Sequence, residues 1–372
     1  MRLRLALLAA VLLLLAPAAY AGAPQVSARA YLVQNGVTGE VLAEQNDRDR
    51  LPIASITKLM TVLVTLQHAR LSDAVTVSGR AAEVGESSIN LRPGERLTVH
   101  DLVEAALIQS ANDAAVALAE HVGGSQARFV SMMNAEAGKL GLRDTHFANP
   151  DGLDAPGHYS SARDVTRLAR IAMRNKVIRS VVGNTTATIA GGRTLTTWND
   201  LLYRFPGLFG VKTGHTGAAG WSEVAAARAN GVTIYATLLG GATREGRNSD
   251  LAALLAWGIA RYRTVDLVKR QRVYATTKAP YGRKALALVA AAPTRRIVRV
   301  DRPLIEQVVA PSVISLPVRK GERIGEVRIY ADHRLIARRP LVASRTIEKP
   351  GLIGRSEWYV GQAAHHAWSW IS

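Results

Sequence analysis

The tetrapeptide Ser55-Ile56-Thr57-Lys58 opens a stretch in which apolar residues recur at the spacing of an α-helix, which predicts a helix over residues 55–68. Side chains three positions apart share a helical face, so the Ser55 hydroxyl and the Lys58 amine can meet. A serine hydroxyl is a poor nucleophile until a base removes its proton, and a lysine whose pKa is lowered by burial or a nearby cation can be that base. By itself, Ser-x-x-Lys is weak evidence, because the pattern occurs by chance in many chains.

A second polar motif, Ser110-Ala111-Asn112, separates two helices that the apolar spacing predicts over 98–108 and 113–122. Serine and asparagine compete with helical backbone bonding, which makes this tripeptide a plausible break. Taken alone, the motif is equally well explained as a helix cap.

A third motif, Lys212-Thr213-Gly214, ends a short strand predicted over 209–213. It offers a cation and a hydroxyl to a carboxylate, and Gly214 has no side chain to obstruct a ligand lying along the strand. The alternative is a plain edge strand with a solvated lysine.

The elements beyond this strand are predicted by turn and periodicity signals. Asn230-Gly231 is a strong hairpin signal and predicts two antiparallel strands within 221–241. A helix is expected over 248–261. No long helical period appears within 264–345, where short runs alternate polar and apolar residues, so this part predicts a small all-β domain.

The order and spacing of the three motifs are those of β-lactamases and penicillin-binding proteins. The chain resembles the low-molecular-mass penicillin-binding proteins that act as serine D-alanyl-D-alanine carboxypeptidases, over about residues 25–345. The flanking runs that extend the resemblance are 52–54, 85–88, 107–114, 149–154, 159–164 and 210–216.

The resemblance implies an α+β fold. A β-lactamase/transpeptidase-like domain, with a helical cluster beside a five-stranded antiparallel sheet, would be followed by a small β-rich domain. We expect these domains over 22–263 and 264–345, with a signal peptide over 1–21 and a C-terminal tail over 346–372.

The resemblance also implies a role for each motif residue. Ser55 would attack the carbonyl between two terminal D-alanines of a peptidoglycan stem peptide, with Lys58 as the general base. Ser110 would relay a proton to the leaving amine, and Asn112 would hold Lys58 and the substrate amide. The backbone N–H groups of Ser55 and His215 would form the oxyanion hole. The implied substrate-binding residues are Lys212, Thr213, Gly214 and Arg247.

Water would then cleave the acyl-enzyme, and penicillins, which mimic the substrate, would acylate Ser55. No metal or organic cofactor is implied, and the chain carries no His-Glu-x-x-His, Walker loop or dinucleotide fingerprint. Ala111 stands where the β-lactamase motif has aspartate, which favours a carboxypeptidase. A D,D-endopeptidase or β-lactamase on the same scaffold, or a non-catalytic cell-wall-binding module, stays open as an alternative.

The N-terminus predicts export. Arg2 and Arg4 precede an apolar run over 5–15, and the small-x-small pattern of 19–21 follows. Together these features indicate a secretory signal peptide, with an uncleaved anchor as the alternative. We therefore expect the protein in the periplasm or on the outer face of the cytoplasmic membrane.

The expected export of the protein affects which binding partners its positive net charge indicates. The formal net charge of +18 would suit a nucleic-acid-binding protein, but an exported protein rarely meets nucleic acid. Anionic wall polymers or lipid headgroups are the expected partners, and a solvated basic surface is the alternative. The chain has no cysteine, which excludes disulfides, thiol nucleophiles and cysteine-bound metals.

The last residues form a separate tryptophan-rich segment. If 358–371 is helical, several apolar residues share one arc, and tryptophan favours the bilayer interface, so peripheral membrane contact is expected. A helix packed against the β domain is the alternative. The residues of the arc are Tyr359, Val360, Ala363, Ala367, Trp370 and Ile371.

Overall fold

A computed structural model of the chain describes residues 12–13 and 22–368. The predicted signal peptide therefore lies outside the described residues, except for Leu12 and Leu13. The helices are α1 (Lys58–His68), α2 (Gly79–Ala82), α3 (Val99–Glu104), α4 (Asn112–Gly123), α5 (Gln126–Leu140), α6 (Ala162–Ala172), α7 (Lys176–Val181), α8 (Leu201–Arg204), α9 (Arg244–Ala260) and α10 (Leu352–Trp368).

The strands are short and all paired antiparallel. They are β1 (Leu12–Leu13), β2 (Ala30–Asn35), β3 (Val41–Gln45), β4 (Ala74–Thr76), β5 (Arg96–Thr98), β6 (Thr186–Ile189), β7 (Arg193–Thr196), β8 (Leu208–Thr216), β9 (Gly220–Ala229), β10 (Val232–Gly241), β11 (Tyr262–Val268), β12 (Val273–Thr277), β13 (Leu286–Ala290), β14 (Thr294–Arg299), β15 (Leu304–Val309), β16 (Arg323–Ala331) and β17 (Arg334–Ala343).

The chain divides into two compact units, with the division between Ala260 and Arg261. The predicted boundary follows residue 263. The two positions differ because β11 begins at Tyr262, directly after α9 ends, so no linker marks the change in the sequence.

The unit that ends at Ala260 contains a five-stranded antiparallel sheet of order β3-β2-β10-β9-β8. The hairpin predicted at Asn230-Gly231 joins β9 to β10, and β8 forms an edge of the sheet. Helices α1 and α4 contribute many fully buried side chains to the core of this unit, among them Leu59, Met60 and Leu118. The predicted α+β fold, a helical cluster beside a five-stranded sheet, is confirmed.

The second unit is β-rich, as predicted. Its six-stranded sheet has the order β1-β15-β16-β17-β13-β12, and β11 pairs with β14 in a separate two-stranded sheet. Alternate residues of β13, such as Leu286 and Leu288, point into its apolar core, which is the pattern of a half-buried strand.

Helix α10 begins at Leu352, six residues before the start predicted at Trp358. The Trp358 and Tyr359 rings lie 5.4 and 6.2 Å from the Tyr281 ring, while Val360 is 69% exposed. The remaining residues of the predicted apolar arc lie outside the side chains that the structure describes. Within the described part of the chain, none of the helices has the length and apolar character needed to span a bilayer.

Candidate active site

Ser55 and Lys58 meet across one turn, as their spacing predicts. The residues Ala54–Thr57 form a 3-10 turn rather than the first turn of an α-helix, and α1 begins at Lys58 itself. The Nζ atom of Lys58 lies 2.7 Å from Ser55 Oγ, which is hydrogen-bonding distance. The nucleophile–base pair of an activated serine is therefore in place.

The Lys58 amine is removed from solvent and fully hydrogen-bonded. It donates to Asn112 Oδ1 at 2.6 Å and to the Asp151 carbonyl oxygen at 2.6 Å, and the residue is 0% exposed. Burial lowers the pKa of Lys58 to about 8, although the charges of Asp151, Glu86 and Asp113 oppose this shift. About a tenth of the amine is thus uncharged at pH 7 and able to accept a proton, and this fraction grows as the pH rises toward 8.

The second motif is shaped by an irregular helix end. Helix α3 passes into a π-helical turn over Ala105–Gln109, and Ser110 then adopts a left-handed conformation with φ of 66°. Such a conformation is uncommon outside glycine and often marks a functional position. Asn112 starts α4, with its backbone N–H donating to Ser87 O and its side-chain amide donating to Gly85 O.

The third motif supplies a second buried lysine. Lys212 is 2% exposed, and its Nζ atom donates to Ser110 Oγ at 2.9 Å and to Thr213 O at 2.9 Å. Burial, reinforced by the neighbouring charge of Lys58, holds the pKa of Lys212 well below its ordinary value. Each of the two motif serines therefore accepts a hydrogen bond from its own buried lysine.

Gly214 also has a packing role that the sequence did not indicate. A Cβ atom at this position would lie 2.7 Å from Ile53 O and 3.1 Å from Ser55 N, so the glycine lets β8 pack closely against the nucleophile turn. Gly152, with φ of +92°, makes a similar approach, since a Cβ there would lie 2.0 Å from Ala54 O. Both contacts fix the position of Ser55.

The loop around Gly152 is also tied to β8. Asp154 accepts a hydrogen bond from Thr216 Oγ1 at 2.7 Å and another from Ala218 N at 3.1 Å. This loop also supplies the Asp151 carbonyl oxygen, which accepts a hydrogen bond from Lys58. The Asp154 carboxylate therefore ties the segment that binds Lys58 to β8, the strand of the third motif.

A cavity of about 400 Å³ opens in front of Ser55. Lys58, Asn112 and Lys212 are buried behind its wall rather than exposed in it. The lining residues are Ser55, Glu86, Ser87, Ser110, Trp198, Thr213, Gly214, His215, Trp221 and Arg247.

Arg247 lines this cavity and is only 1% exposed. Its Nε atom lies 3.2 Å from Glu223 Oε2, and its Nη2 atom donates to Asn248 Oδ1 at 2.6 Å and lies 3.6 Å from Asp200 Oδ2. The guanidinium also lies 5.7 Å from the centre of the Trp221 ring. Arg247 is thus a fixed cation at the edge of the site.

Several site residues carry no signal that we recognised in the sequence. Trp221 stacks on His215 with ring centres 4.0 Å apart, and Trp198 donates to Gln109 O at 3.0 Å, so both indoles border the cavity. Glu223, at 0% exposed, was also missed. Charged residues are rarely buried, so an acidic residue beside the apolar run 224–227 of a predicted strand is unusual. That pattern is the sequence cue that could have drawn attention to Glu223.

Among the described residues, no group of three or more histidine, cysteine, aspartate or glutamate side chains is placed to hold a metal ion.

Comparison with protein-family models gives two matches that together span most of the chain. Residues 18–243 match the Peptidase S11 family, described as D-alanyl-D-alanine carboxypeptidase. Residues 262–349 match the C-terminal domain of penicillin-binding protein 5.

Individual relatives extend over nearly the full length. The chain is 32% identical to the D-alanyl-D-alanine carboxypeptidase DacF of Bacillus subtilis, with 93% of this chain and 94% of that protein covered. It is also 32% identical to DacC of Escherichia coli, with 98% and 96% covered.

Solved structures show the same similarity. Penicillin-binding protein 5 of Haemophilus influenzae matches with a TM-score of 0.64 and 27% identity, covering 88% of this chain and 99% of that one. The D-alanyl-D-alanine carboxypeptidase DacD of Francisella tularensis matches with a TM-score of 0.64 and 25% identity, covering 89% and 96%.

Proposed function

Because the chain belongs to the Peptidase S11 family of D-alanyl-D-alanine carboxypeptidases, we propose that it removes the terminal D-alanine of peptidoglycan stem peptides through an acyl-enzyme on Ser55. The observation that carries this proposal is the 2.7 Å contact between Ser55 Oγ and a buried Lys58 amine whose pKa is lowered to about 8.

In the acylation step, Ser55 Oγ attacks the carbonyl carbon between the two D-alanines, and Lys58 Nζ takes the hydroxyl proton. The new C–O bond forms a tetrahedral intermediate, whose oxyanion would be held by the backbone N–H groups of Ser55 and His215. The C–N bond then breaks, leaving the acyl group on Ser55.

The leaving D-alanine needs a proton on its nitrogen. Ser110 Oγ, held by Lys212 Nζ at 2.9 Å, is the group that we assign to this transfer. It relays to the nitrogen the proton that Lys58 took from Ser55, so that Lys58 ends the step as the neutral amine. Asn112 supports the same step because its Oδ1 atom accepts a hydrogen bond from the Lys58 amine and fixes its position. The Nδ2 atom of Asn112 donates to Gly85 O, which holds the amide group in this orientation. In deacylation, Lys58 Nζ takes a proton from the attacking water as the water oxygen bonds to the acyl carbon, and the proton passes to Ser55 Oγ as the bond between Oγ and that carbon breaks.

The C-terminal carboxylate of the substrate is assigned to Lys212, Thr213 and Arg247. Thr213 and Arg247 both line the cavity, and the buried Lys212 lies directly behind it. Gly214 keeps this strand flat against the nucleophile turn, so that the carboxylate can lie along β8. Penicillins carry a carboxylate next to a reactive amide and would therefore acylate Ser55 in the same orientation.

We place the enzyme outside the cytoplasmic membrane, as the predicted signal peptide requires, with stem peptides as substrate and β-lactams as covalent inhibitors. Peripheral membrane contact through α10 is part of this proposal. The exposed apolar side chains Leu352, Ile353 and Val360 support it.

Mass spectrometry of the penicillin-treated protein tests the proposal. We expect one adduct, on the peptide that contains Ser55, and release of one D-alanine from a peptide that ends in D-Ala-D-Ala. Ser55→Ala should abolish both, whereas Ser131→Ala, on the exposed side of α5, should abolish neither. An adduct on another side chain, or D-alanine release by Ser55→Ala, would overturn it, and rapid penicillin turnover would indicate a β-lactamase instead.

A further inference from the structure

Glu223 is a fully buried carboxylate that the mechanism above does not use. It lies in the middle of β9, where its cross-strand partners are Thr213 on β8 and Leu238 on β10. Both carboxylate oxygens lack a hydrogen-bond donor among the described residues, and the only ion-pair partner that the structure gives them there is Arg247, 3.2 Å away.

A carboxylate in this state costs stability. Burial removes its water, and a single ion pair without hydrogen bonds does not fully offset that loss. Buried polar groups in folded proteins are nearly always hydrogen-bonded, so an exception beside a binding cavity points to a functional role. Glu223 lies next to two residues that line or back that cavity, Thr213 and Arg247.

The contacts of Arg247 show what Glu223 can do. Asn248 Oδ1 accepts hydrogen bonds from both Nε, at 3.1 Å, and Nη2. The Glu223 carboxylate lies beside Nε as an ion pair without a hydrogen bond, and Asp200 lies near Nη2. These contacts use one edge of the guanidinium and leave Nη1, which has no partner within the described part of the chain. Arg247 lines the cavity, so a fixed guanidinium can offer Nη1 to a ligand there without losing side-chain entropy on binding.

We propose that Glu223 is a positioning residue for recognition of the substrate carboxylate: its buried charge, together with the hydrogen bonds from Arg247 to Asn248, holds the guanidinium so that Nη1 is left for a ligand in the cavity. The inference rests on the proposed function, because it assigns a partner to the carboxylate-binding groups of that reaction. Glu223 touches no reacting atom and acts through Arg247.

The electrostatic surroundings of Glu223 agree with this role. Burial, reinforced by the charge of Asp200, raises the pKa of Glu223 to about 7 against the opposing charges of Arg247, Lys212 and Arg244. In return, the charge of Glu223 raises the pKa of Lys212. Glu223 is therefore ionised above about pH 7, and its protonation below that value weakens the hold on Arg247.

The test compares Glu223→Gln with the wild-type enzyme on two peptides, one ending in D-Ala-D-Ala and one in which the terminal carboxylate is an amide. Glutamine keeps the size of the side chain and removes its charge. We expect KM for the carboxylate peptide to rise about tenfold or more, as for a weakened charge-assisted hydrogen bond, with kcat little changed. We expect both proteins to hydrolyse the amide peptide slowly and at the same rate, because it has no terminal carboxylate for Arg247 to bind.

The pH profile gives a readout that a merely structural residue would not alter. The wild-type KM for the carboxylate peptide should rise as the pH falls from 8 to 6, and the Glu223→Gln KM should be high and flat over that range. The double variant Glu223→Gln/Arg247→Gln should be no worse than Arg247→Gln alone, because one residue acts through the other.

Glu306→Gln is the matched control, since Glu306 is also buried and paired with one arginine, Arg272. It should leave KM unchanged, and thermal unfolding should show that Glu223→Gln is folded and no less stable. An unchanged or lower KM in Glu223→Gln would overturn the inference, whereas a wild-type enzyme that releases no D-alanine would overturn the proposed function instead.

Discussion

Thr57 and His158 are joined by a hydrogen bond of 2.7 Å directly behind the nucleophile turn. The other ring nitrogen, Nδ1, accepts from the backbone N–H of Ala148 at 3.1 Å, so the neutral ring donates through Nε2 to Thr57 Oγ1. Burial, helped by the charges of His146 and Lys58, lowers the pKa of His158 to about 4. The chain on either side of the loop around Gly152 is thus held to the Ser55 turn by an uncharged histidine.

This contact predicts an acid-sensitive stability. The unfolded chain binds a proton at His158 below about pH 6.5 and the folded chain only below about pH 4, so the free energy of unfolding should fall as the pH drops between these values. The loss should be at most about 3 kcal/mol. Thermal unfolding measured from pH 7 to 4 checks this, with His158→Gln expected to be less stable at pH 7 and less sensitive to acid. An equal pH dependence in both proteins would contradict it.

The pKa of Lys58 predicts the pH dependence of acylation. The uncharged amine is the active form, so the acylation rate should rise with pH and level off above about pH 8. Lys58→Arg, whose guanidinium stays charged, should lower the rate by a factor of about 10³ or more. Stopped-flow acylation by a fluorescent penicillin measures both effects. The control is Lys176→Arg at an exposed position, and a pH-independent wild-type rate would contradict the assignment of Lys58 as base.

The close approach of Gly214 to the nucleophile turn predicts a severe effect from one methyl group. In Gly214→Ala the new Cβ meets Ile53 O at 2.7 Å, so β8 and the Ser55 turn must separate. We expect acylation to slow by about 10²-fold, because small misplacements of reacting groups are costly. Gly217→Ala is the matched control, since a Cβ there has no neighbour within 4 Å. Equal acylation rates in the two variants would show that the approach is not needed.

The exposed apolar residues of α10 predict membrane association. Truncation after Arg355 should shift the protein from the membrane fraction to the soluble fraction, measured by sedimentation with vesicles of anionic phospholipid. Trp358→Ala removes the contact with Tyr281 but keeps the helix, and so separates packing within the β-rich unit from binding to lipid. If the truncated protein sediments with vesicles as the full chain does, α10 is not the membrane-binding segment.

The sequence predicted those parts of the site that depend on local spacing. Ser55 and Lys58 are three positions apart, so their side chains meet in the 3-10 turn as they would in an α-helix. The break at Ser110 was predicted from residue chemistry, but the π-helical turn before it has no side-chain signature. The third motif was found because a lysine, a threonine and a glycine stand together at the end of a predicted strand.

The parts that sequence reasoning missed depend on long-range packing. Lys58 donates to the backbone carbonyl of Asp151, and a carbonyl is present at every residue, so no pattern indicates it. Glu223 and Arg247 meet only because α9 packs on the sheet that contains β9. Helix α9 itself begins at Arg244, earlier than periodicity indicated, since Thr243 Oγ1 accepts the Gly246 N–H at its first turn.

The side-chain amines of Lys58 and Lys212 have lowered pKa values because burial keeps water away from them. Any loosening that admits water beside Lys58 and Lys212 restores their ordinary protonation, and the general base is lost although most of the fold persists. Urea should therefore inactivate the enzyme at concentrations below those that unfold the whole chain. The remaining activity then reports whether water has entered the site around these two lysines.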